Sequence, residues 1–268
     1  MIFKKLIAMT PNVNMNRSFN SILNISTPLV GTHRGISQSS TKEIENTLSA
    51  FYSDENAKAD FIECDVMITR DNQLILFHDE NLNNTIIEQT NLEDIKRLVP
   101  SIITLADLLI KNLSENKIKL LNIELKTYKL TNEKKEVFTK ELIELLTKHN
   151  LLENVMISSF DQSLLKKISI QPNKPCLALI YDKDQNLKID SSLQKKLNVL
   201  CPHINSLSAL KNLNLPKIPW EHSSENSILS TLSSEKDKVK WVKKHKIIGL
   251  TTNYVEKTAQ LLRIISLR

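Results

Sequence analysis

The stretch DFIECDVMITRDNQLILFHD, Asp60 to Asp79, decides how this chain is read. Its first half, FIECDVMIT, is an apolar, strand-like run into which Glu63 and Asp65 are set at alternate positions, so that on an extended strand both project from one face. A strand covered on both faces should not carry such charges. Burying an unpaired carboxylate is costly, and the usual remedy is a cationic side chain or a metal ion. After the turn residues Arg70, Asp71 and Asn72, the run QLILFHD brings His78 and Asp79 to the end of a second strand-like segment, which is either a local partner of the first or its continuation. The pattern recurs on both sides: LVGTHRG, Leu29 to Gly35, ends in His33 and Arg34, and LLNIELK, Leu120 to Lys126, ends in Glu124 and Lys126. Histidines and carboxylates gathered at strand ends predict a metal-assisted active site on a parallel sheet.

Working outward, strand-like runs alternate with helical ones. PLVGTH, KLLNIELK, NVMISSF, CLALIYD, LNVLCPHI, KIPWEHS and IIGLTTN complete the strands, and amphipathic stretches separate most of them. In KEVFTKELIELLTKHN, Val137, Leu142, Leu145 and Leu146 share a face at helical spacing, and Asn150 is placed to end that helix in the left-handed conformation. Repeated β-then-α units predict an α/β fold, a (β/α)8 TIM barrel, with an open doubly wound sheet as the alternative. The barrel is expected over residues 29–268, preceded by an Asn- and Ser-rich arm, 1–28, that is either loose or laid over the barrel's bottom. Residues 80–119 exceed what one helix needs. They are expected to form a small cap inserted near the site mouth after the second strand region, with SIITLADLLIKN as the helix that resumes the barrel.

Composition narrows the function. The 268 residues suffice for one such barrel or for two ordinary domains, and the 41% hydrophobic and 25% charged fractions are those of a globular protein. The net charge is +6, yet the lysines are scattered and no basic run is interleaved with aromatics, which argues against nucleic-acid binding. Cys64, Cys176 and Cys201 sit at unrelated spacings among apolar residues, as reduced buried thiols do. In MIFKKLIAMTPN the apolar run is too short for a signal-peptide core, and no other run approaches a membrane span. A cytoplasmic enzyme is expected. Of only three glycines, Gly31 and Gly35 flank His33 and Arg34, which predicts close backbone approach there.

Taken in order, HRG (His33 to Gly35), ENT (Glu45 to Thr47), ECD (Glu63 to Asp65), TRD (Thr69 to Asp71), HD (His78, Asp79), NIELK (Asn122 to Lys126) and SSFD (Ser158 to Asp161) resemble the glycerophosphodiester phosphodiesterases. The resemblance is good over residues 29–165 and fainter to Tyr254. It implies a barrel enzyme of lipid and glycerol metabolism that hydrolyses small-molecule glycerophosphodiesters to sn-glycerol 3-phosphate and an alcohol. It also implies that Glu63, Asp65 and Glu124 hold one divalent ion, Ca2+ or Mg2+, that His33 is general base and His78 general acid, that Arg34 and Lys126 hold phosphate oxygens, and that Trp220 contacts substrate. All-oxygen ligands suit hard cations, and histidine changes protonation near neutrality, so the set is chemically consistent.

Other residues receive structural expectations. His149, His203, His222 and His245 are read as core or surface groups, Glu45 and Asn46 as a helix-start and loop-fixing pair, and Asp79 as a loop-orienting residue. Glu63 and Asp65 can alternatively be structural ion-pair partners of Arg34 and Lys126. The chain departs from the family pattern in the turn Lys58, Ala59 and Asp60, in the segment Trp220 to Ser223, and at Asn253 and Tyr254, where an aspartate and a proline are usual. Lysophospholipase D or sphingomyelinase D type activity on lipid diesters is the second enzymatic reading, and a catalytically silent, metabolite-binding barrel is the third.

Overall fold

The computed structural model describes residues 18–23, 27–37, 45–82, 84–115, 118–182, 188–221, 232 and 234–266. The quoted runs become strands in the expected order: β1 (Leu29–His33), β2 (Phe61–Ile68), β3 (Leu74–Leu76), the hairpin β4 (Asn81–Leu82) and β5 (Thr85–Ile86), then β6 (Leu120–Leu125), β7 (Val155–Ser159), β8 (Cys176–Tyr181), β9 (Val199–Pro202), β10 (Trp220–Glu221) and β11 (Gly249–Thr252). Strand β2 is buried along its whole length between β1 and β6 and runs parallel to both. The ladder continues β10-β11-β1-β2-β6-β7-β8-β9. Parallel bridges Leu200–Lys217 and His203–Trp220 join its two ends, so the sheet curls into a barrel and the open-sheet alternative falls. Strand β3 stands outside the ring, antiparallel to β2, with Val66 opposite Leu76, as the local-pair reading expects.

Helices α1 (Phe19–Ile22), α2 (Leu48–Phe51), α3 (Leu92–Leu98), α4 (Leu105–Ser114), α5 (Asn132–Lys148), α6 (Gln162–Ser169), α7 (Ser191–Gln194), α8 (Glu235–His245) and α9 (Val255–Ser266) are the α-helices among the described residues, with short 3-10 turns at Asp54–Asn56, Ile87–Gln89 and Ile204–Leu210. Side-chain caps start several of them: Thr47 for α2, Thr104 with Asp107 for α4, Thr131 for α5, Asp161 for α6 and Ser234 for α8. Thr47, rather than Glu45 or Asn46, therefore begins α2. Helix α5 buries Phe138, Thr139, Leu142 and Leu146, while Val137 and Leu145 are half-buried, so its inner face is turned slightly from the expected stripe. Asparagine supplies the left-handed backbone that glycine usually provides: Asn46, Asn72, Asn84 and Asn150 all have φ between 56° and 66°. Within 80–119, the described residues form the β4–β5 hairpin, α3 and α4. No helix among the described residues is long and apolar enough to cross a membrane.

Alternation along the strands divides each into a lumen row and an outer row. The outer rows, for example Ile62, Cys64 and Val66, join the helices in the largest core cluster. The lumen rows begin in a separate cluster of Leu29, Phe61, Leu120, Met156, Val199 and their neighbours. Phe19, from the 1–28 segment, is fully buried in this cluster with its ring edge-on to Phe61 at 6.2 Å. Gly31 is needed here, since a Cβ would fall 2.0 Å from the Phe61 ring. The lower lumen is thus filled, and the upper lumen is left for the charged residues.

Candidate active site

Apart from His78, which comes from the loop after β3, each candidate residue reaches the site from at or just past the carboxyl end of a barrel strand. His33 lies opposite Glu63 in the β1–β2 register, and Asp65 lies opposite Glu124 in the β2–β6 register. His33, Arg34, Glu63, His78, Glu124, Lys126 and Trp220 line one cavity of about 400 Å3, with Asn122 also contributing to its wall. Asp65 is fully buried beside them. The opposite wall is apolar, made by Phe160, Ile180, Cys201 and Ile218 beside Trp220, whose ring meets His203 edge-on at 4.6 Å. The eight residues proposed for the site, His33, Arg34, Glu63, Asp65, His78, Glu124, Lys126 and Trp220, are therefore brought together, while His149 and His245 lie at helix ends and His222 and Ser223 lie outside the described residues.

The two adjacent carboxylates of β2 have different partners. Asp65 is ion-paired to Arg34 Nε at 3.1 Å and to Lys126 Nζ at 3.1 Å, and it accepts a hydrogen bond from Asn46 Nδ2 at 3.0 Å. Asn46 also accepts from the Asp65 backbone N–H at 3.0 Å, a two-point clamp for which its left-handed φ of 58° is used. Glu63 instead accepts the backbone N–H of Arg34 at 2.9 Å, and its Oε1 is buried with no hydrogen-bond partner among the described residues. Lys126 is also hydrogen-bonded to Glu124. The ion-pair reading thus fits Asp65 and leaves Glu63 unexplained.

Electrostatics sharpen the contrast. Burial, then repulsion from Asp65 and Glu124, pushes the Glu63 carboxyl well above the usual range. Burial also raises Glu124, to about 7, against the pull of Lys126. Burial acts on Asp65 in the same sense, but Lys126, Arg34 and His78 together hold it below its ordinary value. Glu63, Asp65 and Glu124 each offer an oxygen within 4.8 Å of the others. An orphaned buried oxygen, crowded carboxylates and an oxygen-only donor set together fit a hard divalent cation.

The histidines are held differently. His33 Nδ1 lies 2.8 Å from Asn253 Oδ1, at the end of β11; with Nδ1–H donating to that oxygen, Nε2 is left as the proton acceptor. His78 Nδ1 lies 2.6 Å from Asp79 Oδ1, and the Tyr128 hydroxyl donates to the His78 carbonyl. Sequence reasoning assigned no role to Asn253 or Tyr128 and gave Asn46 no carboxylate to clamp. Asn253 was visible as a departure from the family pattern, whereas nothing in the string marks Tyr128.

Comparison with known proteins places the chain in a family and its fold among solved structures. Residues 33–257 match the model of the Glycerophosphoryl diester phosphodiesterase family. The chain is 28% identical over 175 residues to a glycerophosphodiester phosphodiesterase of Bacillus subtilis, covering 56% of this chain and 60% of that protein. It is 30% identical over 176 residues to one from Caldanaerobacter subterraneus subsp. tengcongensis, covering 57% of this chain and 66% of that protein. In each case the chain spans less than two thirds of the relative's length. Among solved structures, an Oleispira antarctica phosphodiesterase in complex with the product sn-glycerol-3-phosphate shares the fold, with TM-score 0.62, 20% identity, and coverage of 88% of this chain and 97% of that one.

Proposed function

Because the chain belongs to the glycerophosphoryl diester phosphodiesterase family, we propose that it hydrolyses glycerophosphodiesters to sn-glycerol 3-phosphate and an alcohol. The observation that carries the reading is the carboxylate cluster Glu63, Asp65 and Glu124 flanked by His33 and His78 at one cavity. The product bound in the Oleispira phosphodiesterase supports the same substrate class.

In this proposal Glu63, Asp65 and Glu124 hold one Ca2+ or Mg2+ ion. When bound, that ion supplies Lewis-acid stabilisation of the charge that grows on the phosphoryl oxygens. The excess of carboxylates supports it: Glu63, Asp65 and Glu124 face only Arg34 and Lys126, and Arg34 is shared with Glu45, so a divalent ion would offset the negative charge before an anionic diester binds. Arg34 and Lys126 then steady phosphoryl oxygens, and Trp220 bounds the substrate on the apolar side. His33, with Nδ1 held by Asn253, accepts the proton of the attacking hydroxyl at Nε2. His78, with Nδ1 held by Asp79, gives a proton to the departing alcohol oxygen. A cytoplasmic location is part of the same proposal, and the three free, buried cysteines support it.

A panel of deacylated glycerophosphodiesters, together with a lysophospholipid, tests the function. Release of sn-glycerol 3-phosphate that stops on chelation and returns with Ca2+ or Mg2+ is expected. Release of lysophosphatidic acid alone moves the chain to the lysophospholipase D reading, and no turnover of any diester leaves a binding barrel.

A further inference from the structure

The two histidines have unequal mechanical support. His33 belongs to β1 and is fixed by the parallel ladders on both sides. His78 follows β3, a strand outside the ring, and lies on the loop leading into the β4–β5 hairpin. Its ring partner Asp79 is the next residue on the same loop, and the Asp79 side chain is 72% exposed, so that contact moves with the loop and cannot anchor it. The ties to the barrel come from elsewhere. The Phe77 backbone N–H donates to the Asp65 carbonyl at 3.2 Å, and the turn after β6 reaches across with two side chains. Tyr128 donates its hydroxyl to the His78 carbonyl, and Lys129 Nζ lies 2.9 Å from Glu80 Oε1. Tyr128 makes this reach from a backbone φ of 22°, which L-residues seldom adopt, in the turn that follows Lys126 and the strand carrying Glu124.

We infer that Tyr128 is a positioning residue for His78: its hydroxyl ties the His78 loop to β6 and so fixes the distance between the proton donor and the groups that hold the phosphoryl oxygens. The Lys129–Glu80 pair is more exposed and gives the same loop a weaker second attachment. This rests on the reading of His78 as the general acid. Loss of the hydroxyl displaces the acid without removing it, so the damage falls on substrates whose leaving group needs a proton.

The test compares Tyr128→Phe with the wild-type chain on glycerophosphocholine and on the p-nitrophenyl ester of glycerophosphate. Expected is a fall in kcat of about tenfold on the alkyl ester with KM little changed, no change on the phenyl ester, and no further loss when the substitution is added to His78→Asn. Equal losses on both substrates, losses that add to those of His78→Asn, or no loss on the alkyl ester overturn the inference. A second measurement needs no turnover. Diethyl pyrocarbonate should modify His78 faster in Tyr128→Phe than in wild type, read by peptide mass, while His33 is unaffected; unchanged His78 reactivity overturns the inference. A wild-type chain that releases no sn-glycerol 3-phosphate refutes the functional reading instead, and the modification rates then decide the role of Tyr128 alone.

Discussion

At the floor of the barrel Phe19, Phe61, Leu120 and Met156 meet in a fully apolar cluster, whereas a few residues further along the same strands the lumen is filled by Glu63, Asp65, Asn122, Glu124 and Lys126. The strands, their alternation and their neighbours are shared by the two layers. What differs is which residue the alternation turns inward. The floor stabilises the fold by removing apolar surface from water. The rim costs stability, because Glu63 and Glu124 are buried close to other carboxylates and both are raised by it. A layer that weakens the fold in this way is retained for chemistry, and the layer beneath it offsets the cost.

If that division is right, rim and floor substitutions should separate activity from stability. The largest effect is expected at the rim. His33→Asn should lower kcat by about 100- to 10,000-fold, the range of a lost acid–base group, with the melting temperature nearly unchanged. Substantial unfolding of that variant would mean that the rim histidine also holds the barrel. Next comes the floor. Phe19→Ala removes a fully buried ring and should cost about 3 kcal/mol in denaturant titration, while the residual folded fraction keeps its KM and metal response. A changed metal response there would break the comparison, since it would join the two layers energetically.

The smallest effect sharpens the boundary. Asp161 lies just beyond the carboxyl end of β7, yet it serves the fold: it caps α6 and lies 2.6 Å from Lys135 Nζ. Burial would raise its carboxyl, but the bonds from Lys135, Ser163 and Leu164 bring it down to about 2. The folded value is below the ordinary aspartate value of about 3.9, so its stabilisation is fully present above that pH and is lost as pH falls towards 2. Asp161→Asn keeps a capping oxygen and loses the charge pair. It should cost about 1 kcal/mol or less at neutral pH, after solvent screening, and the gap to wild type should close between pH 4 and 2. Activity at neutral pH should not change; a gap that persists at pH 2 would assign the loss to packing.

Much of this molecule was readable in the string because the signals were local. Alternating charges in FIECDVMIT and LLNIELK marked the lumen face, and the scarcity of glycine pointed to close approach at Gly31 and to a left-handed asparagine at the helix end Asn150. Asn46, Asn253 and Tyr128 were not readable as supports, because each acts on a residue from 19 to 220 positions away and its side chain matches many surface residues. Periodicity also placed the α5 stripe slightly off, since it reports apolar spacing and not the direction from which the barrel is packed.

The sequence by itself determined the order of strands and helices, the inward placement of the carboxylates and the family to which the chain belongs, since period, composition and motif order are properties of neighbours in the chain. Only the tertiary structure decided that the sheet closes, that Phe19 fills its lower end, that Asp65 is paired while Glu63 keeps a buried oxygen with no hydrogen-bond partner among the described residues, and that His78 hangs from a turn fifty residues away through Tyr128. Closure, burial and hydrogen-bond partnership are set by strands packed side by side, and a linear pattern does not record the distances between them.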